Sequence, residues 1–154
     1  MAPDDCTRDG RSATVARSNR PFAHRCARMI RTQSDYTTMK ITRIYSGPDG
    51  HSHFADVEIE YTSSAPIGRL SDWQPVTRLA FRETAADYDY DWHVAPRRQY
   101  IVMLDGHIEV ETSDGAKREF KGGDVLLVED TTGRGHRTRE LSGKPRRSLF
   151  IALD

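Results

Sequence analysis

From Lys40 onward apolar residues recur at every second position in short runs, and no stretch sustains a helical period. These runs predict strands at Lys40–Ser46, Phe54–Tyr61, Val76–Glu83, Tyr88–His93, Gln99–Leu104, His107–Thr112, Ala116–Phe120, Asp124–Glu129, His136–Leu141 and Arg147–Leu153. Turn signals separate them. Asp114-Gly115, between VET and AKREF, predicts a two-residue hairpin whose central residues both accept positive φ. Asp105-Gly106 ends the run YIVML, and Gly122-Gly123 leads into DVLLVED, whose near-continuous apolar character suits a strand buried on both faces. So many short strands do not fit an open sheet, and they predict an all-β sandwich, jelly roll or barrel.

The alternation also assigns faces. In DYDYDWHVAPRRQYIV, residues 87 to 102, it puts Tyr88, Tyr90 and Trp92 on one side and Asp87, Asp89, Asp91 and His93 on the other. After Pro96 interrupts pairing, Gln99, Ile101 and Met103 share one face, and Tyr100, Val102 and Leu104 the opposite one. A polar Gln99 heading an apolar face requires a reason.

Residues 1 to 38 follow neither period and predict a flexible Arg- and Ser-rich extension ahead of a barrel domain at 39 to 154. The alternatives are a transit peptide, against which Asp4, Asp5 and Asp9 count, or an upstream start codon with Met39 as the true start. This segment carries seven arginines and four aspartates (7 − 4 = +3), and the remainder 16 basic and 19 acidic residues (16 − 19 = −3). The whole chain is therefore neutral, which argues against nucleic-acid or membrane partners. Both cysteines, Cys6 and Cys26, lie in the extension, so the barrel has no thiolate site, and a cytoplasmic location is expected.

The second chemically suggestive unit is GGDVLLVEDTTGRGHRTR, residues 122 to 139. A buried strand runs into Glu129-Asp130, passes a Thr- and Gly-rich turn, and resumes at His136, with Gly133 and Gly135 allowing the backbone to bend. Glu129 and Asp130 read either as an acid/base pair or as caps of turn amides. His51 and His53 read as a separate His-x-His metal site or as the exposed start of a strand, while His24 and His107 read as surface residues.

In order, WH, PRRQ, YIVMLDG and GGDVLLVEDTTGRGH resemble the two motifs of the cupin superfamily. The first, G(X)5HXH(X)3-4E(X)6G, matches at His93, position 99 and Gly106, with Ala95 and Gln99 replacing the second histidine and the glutamate. The second, G(X)5PXG(X)2H(X)3N, matches at Gly123, Gly133 and His136, with Thr131 for the proline, Glu140 for the asparagine and two extra residues after Gly123. The resemblance covers about residues 75 to 153. It implies a double-stranded β-helix, or jelly roll, with a pocket at one mouth, and a homodimer pairing through outer strands, for which Tyr100, Val102 and Leu104 offer a contact. Carried over, it leaves His93, Gln99 and His136 as ligands for a divalent transition metal: Zn, Fe, Mn or Ni.

Three neutral ligands would leave such an ion its full charge and favour an anionic substrate oxygen, so isomerase, cyclase or lyase chemistry is expected ahead of a dioxygenase. The expected function is a small-molecule enzyme acting on an organic acid or polyketide-like substrate, with His136 as acid or base and Arg97 meeting a carboxylate. Arg97 in a surface salt bridge to Asp89 or Asp91 is the competing assignment. Alternatives for the whole protein are a metal-free ligand-binding cupin, in which the same trio hydrogen-bonds its ligand, and a structural module whose mouth is filled by Val94, Ile101 and Met103.

Overall fold

The computed structural model describes residues 38–154, within which the chain forms twelve strands and no helix. They are β1 (Thr38–Ser46), β2 (Ser52–Glu60), β3 (Ser63–Ala65), β4 (Gly68–Leu70), β5 (Arg78–Thr84), β6 (Asp89–His93), β7 (Gln99–Met103), β8 (His107–Thr112), β9 (Lys117–Lys121), β10 (Val125–Glu129), β11 (His136–Glu140) and β12 (Arg146–Ala152). Each of the ten predicted strands forms, with ends displaced by no more than two residues. The two extra strands, β3 and β4, are three-residue arms of an exposed hairpin. Arms this short show no alternation, so the sequence pattern missed them. The expected extension lies outside the described residues except for Thr38.

Two sheets make the all-β, jelly-roll architecture. The larger has the order β2-β1-β10-β7-β12-β5 and the smaller β6-β11-β8-β9. Every neighbouring pair is antiparallel except β1 and β10, which run parallel. Ile44, Met103, Leu126 and Val128 from the larger sheet meet Ile108, Val110 and Phe120 from the smaller one, all 5% exposed or less. At roughly 1.5–3 kcal/mol for each fully buried side chain of this size, that layer holds the sheets together. Phe54 on β2 packs against Phe120 on β9 at 6.2 Å between ring centroids, joining the sheets at one side.

Two local expectations are corrected. The β8–β9 turn is a three-residue loop: Thr112 N–H donates to Ala116 O at 2.9 Å, and Gly115 N–H donates to Thr112 O at 2.8 Å. Gly115 has φ +91°, the pattern of a turn followed by one left-handed residue. The Asp114 carboxylate accepts from Thr112 Oγ1 and Ala116 N–H, and this favours the longer loop.

The second correction concerns β6. Its register against β11 pairs His93 with His136 and Tyr90 with Thr138, so Asp91 and Trp92 together oppose Arg137. This β-bulge flips the alternation midway along the strand. Tyr90 consequently shares the inner face with His93, while Trp92 points outward beneath the Arg137 guanidinium, 5.3 Å from its ring centroid. The amide of Trp92 is taken by Asp91 Oδ1 at 2.8 Å.

Candidate functional site

Above the apolar layer the barrel encloses a cavity of about 480 Å³. Its floor is the core itself, including Ile101, Met103, Leu126 and Val128, and its rim carries Tyr88, Tyr90, Val94 and Pro96. Into the same space project His93 from β6, His136 and Thr138 from β11, Gln99 from β7, and Arg82, Arg146 and Ser148 from β5 and β12. The structure thus brings together His93, Gln99 and His136, which are far apart in sequence. Val94, Ile101 and Met103 line the cavity without closing it. Another hollow of about 510 Å³ lies over β1, β9 and β10, where its charged Asp56 and Arg118 pair with one another.

The two imidazoles are neighbours, with centroids 4.4 Å apart and planes inclined at 57°. Gly135 makes this approach possible. A Cβ built there would stand 2.0 Å from the carbonyl oxygen of His93, and the residue has φ +74°.

Each ring is committed at Nδ1. His93 Nδ1 lies 2.8 Å from the carbonyl oxygen of Asp91, an atom that only accepts, so this nitrogen carries the proton. His136 Nδ1 lies 2.6 Å from Asp130 Oδ2. In both rings Nε2 is the nitrogen left for the cavity. Burial pushes the His93 imidazole below its ordinary pKa, and neighbouring His136 adds to this, against the opposing pull of the Asp91 carbonyl.

Asp130 is the principal residue whose role the sequence left open. It is fully buried, and the same oxygen that receives His136 also accepts from Ser52 Oγ at 2.8 Å. It is neither a turn cap nor a partner of Glu129. Its other oxygen, Oδ1, is buried without a hydrogen-bond partner. Ser52 went unnoticed because it belongs to no motif. The available signal was a small polar residue opening a strand whose register places it inside.

Glu129 points elsewhere and binds Arg98 and Arg43. Burial raises the pKa of its carboxyl, but the two guanidiniums outweigh that and hold it below the usual range. Arg97, the expected carboxylate contact, is not among the residues lining the cavity, nor does it pair with Asp89 or Asp91. Pro96 and the bend after it break the parity that had linked Arg97 to Gln99. The guanidiniums that do reach the cavity, Arg82 and Arg146, belong to the neighbouring strands β5 and β12.

His51 and His53 form no separate metal site. His51 Nδ1 lies 2.6 Å from Ser113 O, while His53 bridges Asp114 at 2.8 Å and Asp49 at 3.1 Å. They pin the β1–β2 turn to the β8–β9 loop. His107 lies at the surface, 2.7 Å from Glu119. Among the described residues, no three His, Cys, Asp or Glu side chains gather as a metal site. None of the described residues forms a helix long and apolar enough to cross a membrane.

No family model and no curated protein matches this chain. Solved structures similar to parts of the chain exist. They include a DUF861 family protein from Thermotoga maritima, with 23% identity over 49% of this chain and 78% of that one and a TM-score of 0.41. A Cupin 2 conserved barrel domain protein from Salinispora arenicola has 20% identity over 55% and 71%, TM-score 0.41. The cupin domain of Cnp3 from Schizosaccharomyces pombe has 13% identity over 77% and 85%, TM-score 0.42. The chain is similar to cupin barrels. In the barrel the polar cluster sits between the two sheets, away from the Phe54–Phe120 contact.

Proposed function

We propose that the protein is a cupin-type small-molecule enzyme that binds an organic acid in the barrel cavity and acts on it beside Nε2 of His93 and His136. The observation supporting this is the outer hydrogen bonding of the two rings. Asp130, itself held by Ser52, fixes the tautomer and direction of His136, and the Asp91 carbonyl does the same for His93. Such partners are the usual means of presenting an imidazole nitrogen to a metal or a reacting proton.

The donor set fits a weakly held divalent ion. Two imidazoles offer Nε2, and the side-chain amide of Gln99, 7% exposed, has no partner among the described residues. His93, Gln99 and His136 would hold Zn, Fe, Mn or Ni, and the ion would supply Lewis acidity to a substrate oxygen. The cavity walls bind and orient the substrate and keep water from its buried end. The lack of a carboxylate among these donors favours a second reading, in which the same trio hydrogen-bonds a ligand without metal.

Elemental analysis of the purified protein separates the two. Near-stoichiometric metal that is lost in His136→Ala supports the first. Negligible metal, with a Tm unchanged by chelator, moves the assignment to metal-free binding.

We also infer a homodimer. The outward face of the larger sheet presents Leu79 and Phe81 on β5 beside Leu149 and Ile151 on β12 and Tyr100 and Val102 on β7. Phe81 is 80% and Leu79 55% exposed, and β5 is an edge strand of the larger sheet among the described residues. A second copy related by two-fold symmetry would cover both the face and the edge.

A further inference from the structure

The cavity wall is charged in one sense only. It carries two guanidiniums, Arg82 and Arg146, and no carboxylate. They flank one aromatic ring: Arg82 Cζ is 5.4 Å and Arg146 Cζ 4.7 Å from the Tyr88 centroid, and Arg82 also lies 5.2 Å from that of Phe150.

The two arginines are held differently. Arg146 is 5% exposed and donates from Nη1 to Glu140 Oε2 at 2.8 Å, with the Glu140 side chain only 1% exposed. That pair fixes the guanidinium plane and leaves other N–H groups undirected. Gly106 shapes the approach, since a Cβ there would stand 2.4 Å from the Cβ of Arg146. Arg82 makes no ion pair or hydrogen bond through its side chain among the described residues, so no described carboxylate neutralises its charge.

Beside them lies a serine hydroxyl that faces the cavity. Ser148 is the register partner of Arg82, lines the cavity at 3% exposure and has no side-chain hydrogen bond among the described residues. The buried side-chain atoms without a partner among the described residues are Thr84 Oγ1 and Asp130 Oδ1, so the Ser148 hydroxyl is reached from the cavity and is open to a bound ligand. Five or more undirected N–H and O–H donors around one positive charge that no described residue compensates match a planar oxyanion.

From the clamp, Tyr88 stacks with Tyr90 at 5.9 Å, and Tyr90 meets His93 edge-on at 4.4 Å. Two tyrosine rings and an apolar floor therefore separate the arginines from the histidine pair.

We propose that the cavity selects its ligand by a carboxylate seated on Arg82, Arg146 and Ser148. The rest of the ligand is an apolar or aromatic body that lies along Tyr88 and Tyr90 and brings a polar group to His93 and His136. The ligand class is thus an amphipathic monocarboxylic acid. This rests on the cavity being the small-molecule site, but not on metal or on turnover.

The test is calorimetric titration of the full chain with a graded panel of aliphatic and aryl monocarboxylates, each beside its primary amide. Members of the acid panel bind at least tenfold tighter than their amides, with affinity falling as salt rises. Arg82→Gln weakens the acids tenfold or more and leaves the amides unchanged, while Ser148→Ala weakens the acids by a smaller factor. His136→Ala in chelator keeps the preference for acid over amide, so a failed metal or catalytic assignment does not touch the clamp. Equal binding of acids and amides, no binding by any acid, or an Arg82→Gln variant with unaltered preference overturns it.

Discussion

The carboxylate of Asp130 and the imidazole of His136 form a hydrogen bond of 2.6 Å in which the aspartate is fully buried and the histidine is 6% exposed. Because Ser52 shares the same oxygen, one side chain ties β2 to the start of β11 and orients the cavity histidine from behind. Asp130→Ala strips both donors of their acceptor. A loss of about 2–4 kcal/mol in urea unfolding is expected, the range for orphaned buried partners. Asp130→Asn, which keeps an acceptor of the same size, should lose less. Proton-nitrogen NMR of the imidazoles should show the His136 tautomer altered in Asp130→Ala and the His93 tautomer unaltered. Equal stability of all three proteins would show that the contact does no structural work.

Gly135→Ala should be among the most damaging single-methyl additions in the chain. The new Cβ would enter the backbone of His93 at 2.0 Å, at a positive φ that alanine adopts only with strain. A cost of roughly 3 kcal/mol or more is expected. Gly115→Ala, with nothing within 4 Å of its Cβ, pays only for its φ of +91° and should cost about 1 kcal/mol. A smaller loss at position 135 than at 115 would mean the two strands are not held as close as described.

His53 gives the fold a pH dependence of definite sign. Its pKa is raised above 6.5, first by the hydrogen bond to Asp49 and then by that to Asp114, which outweigh its partial desolvation. The folded protein therefore holds this proton more tightly than the unfolded chain. Its contribution is complete below about pH 6.5 and disappears as pH rises through the higher folded value. Thermal melts of wild type and His53→Gln should differ most at mildly acidic pH, with wild type the more stable, and converge in mildly alkaline buffer. A gap that widens with pH would contradict this assignment.

Phe81→Glu should convert the proposed dimer to monomer while leaving each barrel folded. Phe81 faces outward from an edge strand at 80% exposure, so a charge there costs the isolated barrel little but is buried unpaired in a two-fold contact. Sedimentation velocity and circular dichroism check the two halves of this statement. A wild-type protein that sediments as a monomer at all concentrations removes the proposed interface.

Much of the architecture was legible in the chain because strand alternation is a local property. The inward set Gln99, Ile101 and Met103 follows from counting by twos, and their strand needs no knowledge of its neighbours. The same counting failed in β6, where Tyr90 and His93 share a face. A bulge is imposed by pairing with β11, whose residues lie more than forty positions away. The β8–β9 loop likewise depends on where the Asp114 carboxylate finds its donors, which spacing alone does not specify.

For the site, the chain by itself determined the residue types, His93, Gln99 and His136, and the face on which Gln99 lies. Only tertiary structure decided that His136 rests on Asp130 and Ser52, that Arg97 stays outside the cavity, and that Arg82 and Arg146 enter it. The reason is physical. A strand's own period says which side chains share a face, but burial, ion pairing and the choice of facing partner arise when distant strands, such as β5 with β12 or β1 with β10, are brought into register.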